Sequence, residues 1–198
     1  MNTIDKFDTK SKDVLFALEQ TRREFWNIDR ATANFLNMLI KMHNSKNVLE
    51  LGTSNGYSAI WLADALKHTG GKLTTIEFWD KRQSVAKENF KICKVDDVIE
   101  PLLGSALVIL DEMGSEVKQG IREPFDFIFI DANKLEYIEY FHKIDPLLKF
   151  GGVIAADNTI SHAKKVEPYI KALEEHPNYQ NQMLNFEAGL FLSYKVQV

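Results

Sequence analysis

Hydrophobic and polar positions follow one another in short blocks along this chain, and the blocks predict strands and helices in turn. Apolar runs of the length typical of buried strands occupy residues 47–51, 72–77, 98–103, 125–131 and 152–157. Stretches with helical periodicity lie between and after them, at residues 57–67, 81–94, 106–118, 135–148 and 163–175. This regular alternation predicts a parallel sheet with helices on both faces.

The two ends of the chain depart from this alternation. Amphipathic stretches at residues 8–24 and 29–42 predict two helices before the first strand, the earlier one peripheral. Near the C-terminus, strand-like runs at residues 179–186 and 190–196 are joined as a hairpin by a short turn that contains Gly189. We therefore expect one α/β domain over residues 1–198, with a doubly wound, mostly parallel, seven-stranded sheet that includes an antiparallel strand of the hairpin.

Composition narrows the class of protein without changing this picture. The 198 residues are 45% hydrophobic and 26% charged, and the net charge of −4 gives no global basic field for nucleic acid. The single cysteine, Cys93, excludes an internal disulfide and favours a reducing compartment. The chain has no apolar run of the ~18 residues that a membrane span needs and no apolar signal core at its N-terminus, so we expect a cytoplasmic protein without membrane contact.

Two of the predicted strands end on carboxylates. The run at 125–131 ends on Asp131, and the run at 152–157 ends on Asp157 followed by Asn158. Ligands bind at the carboxyl ends of strands in an open α/β sheet, so these side chains are expected to meet at one edge. Their oxygen atoms suit Mg²⁺, with Ca²⁺ or Mn²⁺ as alternatives, and Lys134 stands close enough in sequence to take a proton there. The competing interpretation is that Asp and Asn only cap turns and helices.

A glycine turn and another acidic strand end mark a second candidate site. The first strand runs into Gly52, and Gly56 precedes the next helix, a GxxxG spacing that lacks the third glycine of a dinucleotide fingerprint. The next strand ends on Glu77, whose carboxylate can accept hydrogen bonds from both hydroxyls of a ribose. Together these features favour a nucleoside cofactor without a pyrophosphate.

These segments resemble a known family. Residues 26–198 are similar in motif order and approximate spacing to the catechol and caffeoyl-CoA type of S-adenosylmethionine-dependent O-methyltransferase, a cation-dependent family with a Rossmann-like fold. The segments that carry the resemblance are Leu49-Glu50-Leu51-Gly52, Gly56-Tyr57-Ser58, Glu77, Gly104-Ser105-Ala106, Asp131-Ala132-Asn133-Lys134, Asp157-Asn158 and Gly189.

The resemblance implies a role for each of these positions. Glu77 would hold the ribose, Phe78 would lie on the adenine, and Lys134 and Asp131 would be catalytic. The cation would bind to Asp131, Asp157 and Asn158. The positions expected to contact S-adenosylmethionine are Trp26, Ile28, Glu50, Gly52, Thr53, Gly56, Tyr57, Ser58, Glu77, Phe78, Ser105, Ala106 and Asp131. Ordinary core packing is the alternative for Trp26 and Phe78.

The acceptor is less clearly indicated than the methyl donor. Three protein ligands leave about three positions of an octahedral cation open, which favours a small aromatic acceptor with vicinal hydroxyl groups. The resemblance also implies a homodimer, and N-terminal helices within about residues 1–45 that cover the active site. Asn133 stands where many relatives carry a second acid, the covering segments are short, and His162 is a further candidate to face the acceptor. O-methylation of a hydroxylated tRNA base and a non-catalytic S-adenosylmethionine-binding protein remain alternatives.

Overall fold

A single seven-stranded sheet runs through the computed structural model, which describes residues 3–197. Met1, Asn2 and Val198, at the ends of the predicted 1–198 domain, lie outside the described residues. The strands are Asn47–Leu51 (β1), Lys72–Glu77 (β2), Ile99–Leu103 (β3), Phe125–Ile130 (β4), Leu148–Ala156 (β5), Tyr179–Leu184 (β6) and Leu190–Lys195 (β7).

The order of the strands places a topological switch at the centre of the sheet. Across the sheet the order is β3-β2-β1-β4-β5-β7-β6, so the winding direction reverses between β1 and β4. Strands β1 to β5 are parallel, and β7 pairs antiparallel with both β5 and β6. This arrangement confirms the predicted fold class. It also puts the carboxyl ends of β1, β2, β4 and β5 at one edge, where ligands bind in folds of this kind.

Helices cover both faces of the sheet because β-strand side chains alternate between the faces. On β1, Val48 points into one buried cluster and Leu49 into the other. The helices are Thr9–Gln20 (α1), Arg22–Phe25 (α2), Arg30–His43 (α3), Tyr57–Thr69 (α4), Asp80–Ile92 (α5), Ala106–Lys118 (α6), Tyr137–Ile144 (α7) and Ala163–Glu175 (α8). The cluster that contains Val48 includes residues of α1, α3, α4 and α5, and the cluster that contains Leu49 includes residues of α6, α7 and α8.

The first predicted helix, at residues 8–24, is interrupted at Thr21. The Thr21 hydroxyl and the Asn27 side-chain amide both donate hydrogen bonds to the carbonyl oxygen of Leu18, at 3.2 and 3.0 Å. These side chains compete for an acceptor that a continuing helix would use for its own backbone. The chain therefore turns after α1 and forms the separate short helix α2, which leads into the candidate site described below.

The helix predicted at residues 135–148 is also shorter than expected. It starts with a 3-10 turn at Lys134–Glu136, continues as α7, and ends in a second 3-10 turn at Asp145–Leu147, which contains Pro146. Proline lacks the N–H that would continue the α-helical hydrogen bonds. Strand β5 then begins at Leu148 instead of 152, with a register shift opposite Phe125 and Phe127 that accommodates the extra residues.

Candidate functional site

A cavity of about 1290 Å³ lies along the carboxyl ends of the central strands, under the N-terminal segment 19–28. Its walls include the ends of four strands, marked by Gly52, Glu77, Asp131 and Asn158. The predicted nucleoside site and the predicted cation site therefore face the same space.

Gly52 lies where the predicted nucleoside half of the cavity, marked by Glu77, meets the predicted cation half, marked by Asp131. Its φ is +99°, and a Cβ atom added there would lie 2.2 Å from the carbonyl oxygen of Asp131. The Asp131 N–H donates to the carbonyl oxygen of Leu51 at 2.9 Å, and the Gly52 N–H donates to that of Ile76 at 3.0 Å. Only glycine accommodates both this backbone angle and this close approach. The wall between the halves is therefore backbone packed against backbone.

Glu77 holds a fixed position at the end of β2. It is 6% exposed, and its two carboxylate oxygens accept hydrogen bonds from the N–H groups of Ser54, at 2.8 Å, and Trp79, at 2.9 Å. Each carboxylate oxygen can accept more than one hydrogen bond, so the pair can still accept from two hydroxyl groups of a ligand. The structure thus places Glu77 in the cavity with its orientation already set.

Glu50 lies behind the cavity wall and does not line it. Its side chain is fully buried and accepts hydrogen bonds from the hydroxyls of Ser58 and Thr75, each at 2.5 Å. Burial raises the pKa of Glu50 to about 8. The Thr75 hydroxyl is in turn 2.6 Å from that of Thr53. Glu50 therefore orients Ser58 and, through Thr75, Thr53, and both of these residues line the cavity.

Gly56 and Tyr57 also lie outside the lining of the cavity. A Cβ atom at Gly56 would lie 2.5 Å from the ring of Phe90, so this glycine permits close packing of α4 against α5. The buried Tyr57 donates its hydroxyl hydrogen to Glu19 at 2.7 Å. Both residues shape the turn from behind, and neither lines the cavity.

The remaining residues predicted to contact the cofactor do line the cavity. They are Trp26, Ile28, Gly52, Thr53, Ser58, Glu77, Phe78, Ser105, Ala106 and Asp131. Phe78 is 62% exposed and Trp26 is 69% exposed, which excludes the alternative that they are ordinary core residues. Exposed aromatic rings at a cavity wall offer stacking surfaces to a planar ligand.

Asp131 and Asp157 meet at the ends of adjacent strands, as expected. The Asp157 N–H donates to the carbonyl oxygen of Ile130 at 3.0 Å, directly before Asp131. Asp157 is 2% exposed, and no side chain or backbone group among residues 3–197 donates a hydrogen bond to its Oδ1. Burial and then the neighbouring charge of Asp131 raise the pKa of Asp157. The Lys134 Nζ donates to Asp131 Oδ1 at 2.8 Å.

The loop that follows Asp157 is pinned by the C-terminal hairpin. The N–H groups of Thr159, Ile160 and Ser161 donate to carbonyl oxygens of residues 188 and 189 at 2.9 to 3.2 Å. A Cβ atom at Gly189, whose φ is +84°, would lie 2.4 Å from the Ile160 nitrogen. The hairpin glycine therefore allows the backbone contact that holds the loop, including Asn158, at the cavity wall.

A divalent cation fits this part of the cavity by its chemistry. A buried carboxylate oxygen with no hydrogen-bond partner, beside a second carboxylate, is an environment that a cation with a preference for oxygen ligands would stabilise. In the part of the chain that the structure describes, no three His, Cys, Asp or Glu side chains form a metal-binding group. The predicted ligand set has only two carboxylates, and its third member is the amide of Asn158.

Several cavity residues have no counterpart in the motifs. The wall includes the cations Arg22 and Lys165, together with His162. Burial and then the charges of Lys134 and Lys165 lower the pKa of His162. It also includes Ser54, Trp79 and Arg82, close to Glu77 along the chain or bonded to it. Of these residues, His162 was a candidate from its closeness to Asn158 along the chain.

Known proteins resemble this chain in both sequence and structure. Residues 10–196 match the family described as O-methyltransferase. The chain is 36% identical over 164 residues to caffeoyl-CoA O-methyltransferase 1 of Eucalyptus globulus, covering 81% of this chain and 65% of that protein. It is 40% identical over 133 residues to the catechol O-methyltransferase of Niastella koreensis, covering 67% of this chain and 58% of that protein. The chain thus spans somewhat less than two thirds of these curated relatives.

The folds of solved structures match the fold of this chain over nearly its whole length. The O-methyltransferase of Bacillus cereus, crystallised with SAH, has a TM-score of 0.83 at 27% identity and covers 98% of this chain and 93% of its own. The O-methyltransferase TomG of Streptomyces achromogenes, crystallised with SAM, has a TM-score of 0.83 at 25% identity and covers 97% of this chain and 92% of its own.

Proposed function

The chain belongs to the O-methyltransferase family, and on that premise we propose that it transfers a methyl group from S-adenosylmethionine to a hydroxyl oxygen of a small aromatic acceptor with vicinal hydroxyl groups, assisted by a divalent cation. The observation that carries the proposal is the shared cavity, with Glu77 on one side of Gly52 and the pair Asp131 and Asp157 on the other. Relatives named for caffeoyl-CoA and catechol support an aromatic acceptor.

On the donor side, this chain would bind S-adenosylmethionine through groups that are already oriented. Glu77 would accept hydrogen bonds from the ribose hydroxyls, and Phe78 would offer its exposed ring to the adenine. The turn at Gly52 and Thr53 would face the methionine part. Because Glu77, Gly52 and Thr53 hold their positions through internal hydrogen bonds, these groups would need little ordering on binding.

On the acceptor side, Asp131, Asp157 and Asn158 would hold the cation. When bound, the cation would lower the pKa of an acceptor hydroxyl that it contacts. Lys134 Nζ, entering the step as the neutral amine, would take the proton from that hydroxyl and become an ammonium as the oxygen forms its bond to the methyl carbon. The carbon–sulfur bond of the donor breaks in the same step, and its electron pair stays on sulfur. The rigid wall at Gly52 would keep the two reactants in line.

The test is a methyl-transfer assay with the purified chain. We expect S-adenosylmethionine to methylate catechols from a panel that includes catechol, caffeic acid and caffeoyl-CoA. A chelator should abolish turnover, and Mg²⁺, Mn²⁺ or Ca²⁺ added back should restore it, with Mg²⁺ the expected preference. Products would be identified by mass spectrometry.

The same assay separates the alternatives. Methylation of hydroxylated tRNA without methylation of any catechol would show that the acceptor is a tRNA base, with S-adenosylmethionine still the methyl donor. Binding of S-adenosylmethionine without methylation of either acceptor class would favour a non-catalytic binding protein. Turnover that is unaffected by the chelator would contradict the cation role.

Assembly and location are part of the proposal. From the family resemblance, we propose that the chain works as a homodimer. From its single cysteine, Cys93, which favours a reducing compartment, we propose that it works in the cytoplasm. Within residues 3–197, no helix has the length and apolar character needed to cross a membrane. Light scattering coupled to size-exclusion chromatography would measure the mass in solution, and a monomeric mass at micromolar concentration would contradict the dimer.

A further inference from the structure

An exposed tryptophan and an arginine meet at the mouth of the cavity on its donor side. The guanidinium carbon of Arg82 lies 4.5 Å from the ring centroid of Trp26, and both side chains line the cavity. The two residues come from different parts of the chain, since Trp26 follows α2 and Arg82 belongs to the first turns of α5. Their contact therefore bridges the N-terminal segment and the β2–α5 connection.

The backbone holds Trp26 in a strained conformation. Its φ is 58°, in the left-handed region that non-glycine residues rarely adopt. The strained turn is held from within, because the N–H groups of Trp26 and Asn27 donate to the Arg22 carbonyl oxygen and Arg22 Nε donates back to Asn27. This turn directs a large apolar ring toward solvent.

The same turn is tied to the wall that carries Glu77. The Ser54 hydroxyl donates to the carbonyl oxygen of Phe25 at 2.9 Å, and the Ser54 N–H donates to Glu77 at 2.8 Å. A continuous set of contacts thus runs from Glu77 through Ser54 and Phe25 to Trp26, and from there to Arg82. Within the described residues, Arg82 forms no salt bridge with a carboxylate, so its donor groups remain available to a ligand.

We propose that Trp26 and Arg82 form a cap over the adenosine part of the donor site, and that Arg82 is a positioning residue for the methyl donor. The inference rests on the proposed function, because it assumes that this half of the cavity binds S-adenosylmethionine. Arg82 holds the Trp26 ring by a cation–π contact, and the ring covers the part of the cavity that Glu77 and Phe78 also line. The cap thereby excludes water from the bound nucleoside and slows its release.

The test measures binding of S-adenosylhomocysteine by calorimetry, with no acceptor or cation present. Arg82→Met should raise the Kd about fivefold, because an exposed cation–π contact and its effect on the ring are lost. Arg82→Lys keeps the cation and should recover part of the affinity. Arg122→Met is the matched control, since Arg122 pairs with Glu116 outside the cavity and should leave the Kd unchanged.

Tryptophan fluorescence gives a second measurement. If Trp26 had only a structural role, ligand binding would not change its emission. In a Trp79→Phe background only Trp26 and the buried Trp61 remain, and the ligand should alter the emission of Trp26. That change should disappear in Trp26→Phe. Arg82→Met and Trp26→Leu should also be non-additive in Kd, because they disrupt one contact.

The outcomes distinguish this inference from the proposed function. If the wild-type chain does not bind S-adenosylhomocysteine, the proposed donor site is wrong. If the wild-type chain binds but Arg82→Met binds equally tightly, or the fluorescence change persists without Trp26, the cap is wrong and the donor site stands.

Discussion

The donor half and the acceptor half of the cavity are built in different ways. On the donor side, the buried carboxylates Glu50 and Glu77 have each of their oxygens bound by an internal hydrogen-bond donor. On the acceptor side, Asp157 keeps a buried oxygen without such a donor among the described residues, and Asp131 is paired only with Lys134. Within residues 3–197, the buried carboxylates of the donor half are therefore satisfied by hydrogen bonds, whereas Oδ1 of Asp157 is not.

The two halves also differ in how their residues are distributed along the sequence. Much of the donor half rests on two consecutive strand–turn–helix units, which supply Gly52, Glu77 and Phe78 from a short stretch of sequence. Trp26, Ser105 and Ala106 join this half from more distant positions. The acceptor half collects side chains from β4, from the loop after β5, from α8 and from the N-terminal segment. Its rim carries exposed charged side chains such as Glu187 and Lys165, and exposed segments of this kind vary more among related proteins than the elements they connect.

The largest expected effect comes from Asp157→Ala, which tests whether the acceptor half fails independently of the donor half. Loss of the buried ligand should reduce kcat by about 100-fold or more, because a cation contributes several kcal/mol to stabilising charge in the transition state. The Kd for S-adenosylmethionine, measured by calorimetry, should change little. Asp111→Ala is the control, because Asp111 pairs with Lys143 at an exposed position. Unchanged turnover would contradict the cation role of Asp157.

Glu77→Gln should have the next largest effect, and on the donor half alone. An amide offers one acceptor oxygen where the carboxylate offers two, so charge-assisted hydrogen bonds to the ribose are lost and the donor Kd should rise about tenfold. The KM for the acceptor should stay close to the wild-type value. The exposed Glu100, bound to Thr74, allows Glu100→Gln as the control. An unchanged Kd for S-adenosylmethionine would contradict the role of Glu77 in binding the donor.

Glu50→Gln tests the buried network behind the donor half through its pH dependence. Burial raises the pKa of Glu50 from 4.5 to about 8, so the folded chain keeps a proton that the unfolded chain has lost between those pH values. The free energy of unfolding should therefore fall as pH rises from about 5 to 8. Denaturant unfolding of Glu50→Gln should show a smaller fall over this range. An identical pH dependence of the free energy of unfolding in both proteins would contradict the raised pKa of the buried Glu50 carboxyl.

Glu187→Gln should have the smallest effect. Glu187 pairs with Arg22 at 2.9 Å across the rim of the acceptor half, with 67% and 34% of their side chains exposed. Exposed ion pairs contribute about 1 kcal/mol or less, so the acceptor KM should change no more than about threefold. The difference from wild type should vanish at high salt. Glu175→Gln, which removes the pair with Lys171, is the control. A larger change that persists in salt would indicate direct contact with the acceptor.

Sequence patterns were sufficient for the architecture and for the family. The strand and helix alternation, the closing hairpin and the adjacent ends of β4 and β5 are confirmed. The break at Thr21 was missed because it depends on a local competition for the carbonyl oxygen of Leu18. The break at Pro146 follows from a missing N–H and could have been predicted from the proline itself. The roles of the site residues stay predictions, although ten of the positions expected to contact the cofactor line the cavity.

The sequence by itself determined which chemistry is available, because residue types and their periods specify strands, turns and the carboxylates at strand ends. Only the tertiary structure decided which of those groups face the cavity. Glu50, Gly56 and Tyr57 belong to the motif but lie behind the wall, whereas Arg82 and Lys165 belong to no motif and line it. The physical reason is that side-chain direction and long-range proximity follow from packing of the whole sheet and its helices, which no local stretch of sequence encodes.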